Sequence, residues 1–335
     1  MVRMGILSFA HMHAAGYAAC IGELPGIELA GVADEDDVRG REMAGRFSTK
    51  YFESFESLCD GSVDAVIIAS DNKSHLPLTL LAAARGKHIL CEKPLARTMD
   101  EAREMICAAD AAGVILATAF PCRHIPAMQR IKQMLTSGRM RKVLAIRGTN
   151  RGVMPGGWFI DRERSGGGAV IDHTVHVADL MRWFLECEAA EVYAEIDTRF
   201  HNIGIDDTGV LSIQFEDGVI ATLDTSWSRP SRSFPTWGDV TVKLILENGT
   251  VEVDSFRQKV DFYSEEAHKC QYVYWGDNMD AGLVANFAAA VEGRESVSAT
   301  GRDGLKALEI ALAAYRSSRE CRPVALGLDS TQQVH

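Results

Sequence analysis

To about residue 120, short apolar runs alternate with segments of helical period. Met4–Ser8 is predicted as a buried strand, and a helix follows from about Ala14 to Gly22. Ile27–Ala33 is a second strand, closed by Asp34, Glu35, Asp36 and Asp37. Ala65–Ser70 is a third. It is rich in β-branched residues and free of charge, as a strand covered on both faces should be. Helix His75–Ala84, strand His88–Cys91, helix Thr98–Ala112 and strand Val114–Ala119 continue the series, and a further helix runs to about Thr136. Strands separated by helices imply a parallel, doubly wound sheet, because parallel neighbours need a crossover between them.

The rhythm changes near Lys142, where longer and more polar strands begin. Asp217-Gly218 and Asn248-Gly249 each sit between alternating apolar positions, a strong local signal for a hairpin. A mainly antiparallel sheet is therefore expected over about 125 to 275, with a helix that starts near Ala169 packed on it. Asn278–Val291 and Asp303–Ser318 are terminal helices, and the tail from Gly327 to His335 is expected to fray. The predicted class is α/β: a Rossmann domain over 1–121, then an α+β domain over 122–335 with a large, mainly antiparallel sheet. The last helices are free to pack back on the first domain.

Length and composition fit this picture, since 335 residues with 47% hydrophobic content suit two globular domains. A formal charge of -11 disfavours nucleic acid and anionic membrane surfaces, which need clustered Lys and Arg. No apolar run approaches the ~20 residues of a membrane span. The apolar start Met1–Ala10 is too short for a signal peptide. Eight Cys without a CxxC pair suggest reduced thiols and a cytoplasmic protein.

In open α/β sheets, ligands bind beyond the carboxyl ends of the strands. A dinucleotide site wants glycines after the first strand, so that backbone N–H groups approach the pyrophosphate. Here Ser8, Ala10 and His13 stand in the three glycine positions, with Phe9 and His11 between them. Taken alone, this is an ordinary strand–helix turn. Asp34 ends the second strand, where a carboxylate accepts from adenosine ribose hydroxyls. With Glu35, Asp36 and Asp37 it repels a 2′-phosphate, which favours NAD over NADP. Ser70, Asn72 and His75 follow the third strand and face the same side.

Two motifs carry the chemistry. Cys91-Glu92-Lys93-Pro94 ends the fourth strand. Downstream, Trp158 and Arg162 lead into Ser165-Gly166-Gly167-Gly168, then Asp172, His173, His176, Asp179 and Trp183. Consecutive glycines let the chain approach a ligand closely before a helix begins. Asp172 and His176 are four apart and share a helix face. These motifs, with Ala299–Leu305 near the end, resemble the Gfo/Idh/MocA family of nicotinamide-dependent sugar and polyol dehydrogenases across essentially the whole chain. The glycine loop is where this sequence departs from that family.

The resemblance implies a cis Lys93–Pro94 bond, with Lys93 polarising the reacting oxygen, and Asp172 and His176 over the nicotinamide. It implies hydride transfer between NAD and a secondary alcohol of a sugar, inositol or polyol. His176 then acts as general base, and His124 and His173 join Lys93, Asp172 and His176 on the substrate. Ser8, Phe9, Ala10, His11, His13, Asp34, Ser70, Asn72, His75, Glu92, Trp158 and Arg162 would hold the cofactor. The exposed face of the second sheet is the expected homo-oligomer interface.

An excess of His and Cys leaves a rival open. His11, His13, His75, Cys91, Cys122, His124, His173 and His176 all fall near predicted strand ends or on the Asp172 helix. A metal-dependent lyase or hydrolase could use them, but no pair has zinc-motif spacing and the family needs no metal, so none is expected. The other rival is a non-catalytic cofactor or sugar sensor of the same fold.

Overall fold

The computed structural model describes residues 1–257, 259–266, 268–274 and 278–327. Apart from Gly327, the tail expected to fray lies outside the described residues. In chain order the first elements are β1 (Val2–Leu7), α1 (His13–Glu23), β2 (Ile27–Ala33), α2 (Asp37–Arg46), α3 (Phe55–Cys59), β3 (Ala65–Ile68), α4 (His75–Ala84), β4 (His88–Cys91), α5 (Met99–Ala112) and β5 (Leu116–Thr118). Then come α6 (Pro126–Thr136), β6 (Val143–Gly152), α7 (Arg162–Ser165), α8 (Ala169–Leu185), β7 (Ala189–Asp197), β8 (Thr208–Phe215), β9 (Ile220–Ser226), β10 (Gly238–Leu246) and β11 (Gly249–Asp254). The hairpin β12 (Lys259–Ser264) and β13 (Lys269–Tyr274), helices α9 (Met279–Val291) and α10 (Gly301–Glu320), and β14 (Val324–Ala325) complete the described chain.

The chain parts into two compact units. The first holds Met1–His124, Gly157–Gly167 and Asn278–Leu308; the second holds Ile125–Gly156, Gly168–Asp277 and Glu309–His335. The first unit contains a five-stranded parallel sheet in the order β2-β1-β3-β4-β5. Its core joins Ile6, Ile67 and Leu90 of the strands to Tyr17 and Ile21 of α1 and to Val284 and Phe287 of α9. Two helices between β2 and β3 escape the sequence pattern. The α2 segment is mostly polar, and only Gly40 and Ala44 are buried in it. It is held instead by its Asp36 cap, whose side chain accepts from the Val38 and Arg39 amides.

The second unit carries a seven-stranded sheet, β11-β10-β6-β9-β8-β7-β14. Both predicted hairpins are present, β8 to β9 across Asp217-Gly218 and β10 to β11 at Asn248-Gly249. One pairing is parallel, β6 with β9, because the long α8 excursion separates them in sequence. Every residue of α8 from Ala169 to Arg182 is buried. Gly148 of β6 permits this close seat, since a Cβ there would stand 2.6 Å from Val177 Cγ1.

The start of α8 is pinned by Asp206. Its carboxylate accepts from the Gly168 and Val170 amides at 2.9 Å each, and from the Tyr315 hydroxyl. Gly168 has no room for a side chain, because a Cβ would lie 1.8 Å from the Asp206 carbonyl oxygen. Gly168→Ala should therefore destabilise the protein by about 1–3 kcal/mol, as overpacking of a tight site does. Urea unfolding measures this, and an unchanged midpoint would mean that the chain relaxes there freely.

Candidate active site

In the first unit, the β1–α1 loop makes the turn that a fingerprint glycine would make. Ser8 has a φ of 73°, in the left-handed region where glycine is the usual residue. The loop amides are engaged within the protein. Phe9 donates to Asp34, Ala10 to Ser8 Oγ, His11 to the Ala69 carbonyl, and His13 to His11 Nδ1. The left-handed Ser8 and the carboxylate at the end of β2 fit a dinucleotide, although all three glycine positions carry larger residues.

Asp34 is not a free acceptor. Its side chain is wholly buried, and it accepts from Phe9 N, Asp36 N and the Arg39 guanidinium. Arg39 also pairs with Glu35, and Asp37 accepts from the Tyr51 hydroxyl. The acidic run is thus absorbed by a cap, a guanidinium and a phenol. The open repulsive patch expected from the sequence is largely neutralised by Arg39, five residues beyond Asp34.

Glu92 is the centre of the next cluster. Its side chain is wholly buried, and Oε1 accepts from the Tyr17 hydroxyl and from His13 at 2.9 Å. Oε2 accepts from the Lys93 amide at 2.9 Å. Burial alone would push its carboxyl up, but His11, His13 and Lys93 outweigh this and hold it well below the usual range. Burial likewise depresses His13, yet Glu92 overcomes it and raises the imidazole. Lys93 is 4% exposed, and the Lys93–Pro94 peptide is cis. His75 is spent behind this turn, its Nδ1 against the carbonyls of Pro94 and Leu95.

The other residues expected to hold the cofactor also have assigned contacts. Ser70 Oγ donates to the Asp71 carbonyl, and Asn72 Nδ2 donates to the Ser165 carbonyl. Trp158 stacks on Phe159 and donates its indole N–H to the Ala10 carbonyl at 3.0 Å, tying the Gly157–Gly167 segment to the β1–α1 loop. Arg162 is exposed at the start of α7, while Arg164 pairs with Asp71 at 2.6 Å.

In the second unit, α8 presents Asp172, His173 and His176, all buried. Trp227, 1% exposed, donates its indole N–H to Asp172 Oδ2 at 3.2 Å, and His173 Nε2 lies 3.3 Å from the same oxygen. His173 Nδ1 is 3.0 Å from the Asn150 carbonyl, so the ring is oriented from both sides. Trp237 packs edge-on against His173 and is 45% exposed. An acid–base pair on α8 is thus seated against a fixed indole donor.

The pool of eight His and Cys residues separates on folding. Burial pushes the Cys91 thiol well up, and Cys122 is buried and in no disulfide among the described residues. His124 pairs with Ser298 Oγ at 2.8 Å and packs against Gly282 of α9. His173 and His176 belong to the second unit. Among the described residues, one group has metal-ligand geometry: His11, His13 and Glu92.

Residues 4–120 match the oxidoreductase family with an NAD-binding Rossmann fold, and residues 128–252 match the GFO/IDH/MocA C-terminal domain. A 1,5-anhydro-D-fructose reductase of Ensifer adhaerens is 31% identical over 275 residues, covering 78% of this chain and 80% of the relative. A myo-inositol 2-dehydrogenase of Thermotoga maritima is 28% identical and covers 89% and 91%. The crystal structure of GenD2 from gentamicin A biosynthesis, in complex with NAD, superposes with a TM-score of 0.87 at 25% identity, over 97% and 96% of the two chains. The chain belongs to the GFO/IDH/MocA oxidoreductase family. It is an NAD(P)-dependent oxidoreductase, and the resemblance stated from the two motifs holds. No described helix is long and apolar enough to cross a membrane.

Sequence reasoning missed Arg39, Tyr17 and Trp227. Tyr17 shares the His13 face of α1 at four-residue spacing, a signal that was available. Trp227 had none, since its contact with Asp172 spans 55 positions.

His124 has a measurable consequence. Burial, with Arg123 beside it, pushes its imidazole down to about 4, against 6.5 when unperturbed. Between those values the unfolded chain binds a proton that the folded chain excludes, so stability falls on acidification through that window. His124→Gln should lose about 1–3 kcal/mol less than wild type between pH 6.5 and about 4 in urea melts. Equal losses would show that His124 is not the group responsible.

Proposed function

We propose that this GFO/IDH/MocA member oxidises or reduces a secondary alcohol on a sugar, inositol or related polyol. The observation that carries this reading is the seating of Asp172 on α8, fixed by the Trp227 indole and beside His173, four residues before the buried His176. That is an acid–base arrangement on a rigid element, as proton handling beside hydride transfer requires. The bound dinucleotide supplies the hydride acceptor or donor. His176 takes the hydroxyl proton in the oxidative direction. Lys93 stabilises the developing alkoxide, and a buried cation is most effective there because no water competes. Asp172 orients and tunes His176. The named activities of the two curated relatives, on an anhydro sugar and on an inositol, support this substrate class. A sensor would have no use for Asp172, His173 and His176 buried together on one helix.

His176→Ala should lower turnover by about 10²–10⁴-fold while leaving NAD affinity nearly intact. Lys93→Ala should fall in the same range, and the double variant should lose far less than the product of the two. A panel of polyols and sugars followed by NADH absorbance identifies the substrate, and calorimetry gives the cofactor affinity. Retention of more than about a tenth of turnover in His176→Ala would remove it as the base.

Asp34 meets the adenosine ribose, Ser8 to His13 border the phosphates, and Glu92 and Trp158 hold the loop in shape. NAD should bind at least about tenfold tighter than NADP, a difference of ~1.4 kcal/mol. Asp34→Ala should narrow or reverse the gap, because it removes the ribose acceptor and frees Arg39, and an arginine there accommodates a 2′-phosphate. Equal dissociation constants for the two cofactors in the wild type would sink the assignment. The open face of the second sheet, which exposes Leu144, Val210 and Ile220, is the proposed surface for self-association.

A further inference from the structure

The β1–α1 loop and the end of β4 bring three donors together that hydride chemistry does not require as a set. One ligand atom from each of His11, His13 and Glu92 lies within 4.8 Å of the others. Glu92 is wholly buried at its side chain, His11 is 2% exposed, and His13 is 28% exposed on its open side. Two imidazoles and a carboxylate suit zinc, and three protein ligands leave a fourth position for a water or another oxygen.

The spacing can be tested against zinc geometry. With metal–ligand bonds of ~2.0–2.1 Å, neighbouring donors of a tetrahedral ion stand about 3.3 Å apart. Here His13 Nδ1 is 2.9 Å and His11 Nδ1 3.8 Å from Glu92 Oε1, so the two distances bracket that value. Shifts of about half an ångström, less than a side-chain rotamer change, would bring these two pairs to it, and all three donors lie within 4.8 Å of one another. The supporting contacts exist too. The Tyr17 hydroxyl donates to Glu92 Oε1 and the Lys93 amide to Oε2, which fixes the carboxylate as the partners of metal ligands do.

We propose that His11, His13 and Glu92 form a zinc site within the dinucleotide loop, its fourth position taken by water or an anionic oxygen. Ligation by His11 replaces the 3.2 Å bond its Nδ1 accepts from the His13 amide. Ligation by His13 replaces its hydrogen bond to Glu92 and releases the bridging proton, as metal uptake by protonated ligands does.

The test uses the full chain, stripped with a chelator and titrated with zinc chloride in a calorimeter. One zinc per chain should bind, and His11→Ala and His13→Ala should each weaken it at least about tenfold. Far-UV circular dichroism checks that the variants fold. Cobalt chloride added to the stripped wild type should give the strong visible bands of a tetrahedral ion. This reading stands even if a variant fails to fold. Absence of saturable zinc binding, undiminished affinity in the double alanine variant, or the weak spectrum of an octahedral cobalt ion would each overturn the site. NAD affinity, measured on the same samples, reports separately on the cofactor reading.

Discussion

A carboxylate sealed from water at the end of β4 sets the terms for the first unit. Burying an ionised Glu costs several kcal/mol unless other groups compensate. Glu92 meets that cost with a phenol O–H, an imidazole and a backbone N–H, drawn from α1 and from its own turn. The consequence is geometric. His13 and Tyr17 are four apart on α1, so satisfying Glu92 fixes both the rotation of that helix and its distance from β4. A glycine at position 13 would leave Glu92 short of a partner. The departure from the glycine fingerprint and the buried carboxylate are therefore one feature seen from two segments.

The second unit solves a related problem with different groups. Its long helix α8 begins at a glycine whose neighbours leave no space for a methyl group, and Asp206 supplies the acceptor that the first amides lack. Fourteen consecutive buried residues follow, polar ones among them. Asp172 is tolerable there because Trp227 and His173 face it, and Asn150 holds His173 in turn. Packing and chemistry are thereby coupled: the close approach that Gly148 allows also decides where Asp172 and His176 stand.

Element types were legible wherever burial follows chain period. The charge-free third strand, the two hairpin turns and the helix after the triple glycine all declare themselves locally. The features that stayed hidden depend on partners distant in sequence or on polar contacts. Helix α2 buries too little to show a stripe and rests on a cap. The parallel β6–β9 pairing has no local signature. Asp34 was identifiable as a strand-end carboxylate, but not the guanidinium that neutralises it. Glu92 was identifiable from its motif, but not as the meeting point of His11 and His13, because nothing in their spacing to position 92 is periodic. The motif from Trp158 to Trp183, continuous in sequence, divides between the two units at Gly167 and Gly168.

That division bears on what the consecutive glycines do. Gly166 has a φ of 84°, with Arg97 only 2.9 Å from where its Cβ would be. Gly168, whose φ is negative, is packed against Asp206. The first is required by conformation and the second by space, two separate demands met two positions apart in one glycine run. On the far side of the first demand, Asn72 donates to the Ser165 carbonyl and Trp158 to the Ala10 carbonyl, so the segment before the glycines is tied to the β1–α1 loop and to the turn at the start of α4. On the far side of the second, α8 is locked to its sheet. Only the glycines between are free of side chains that would oppose a change in backbone direction. Position 166 needs a residue that tolerates a left-handed turn and position 168 one without a Cβ, and glycine meets both demands.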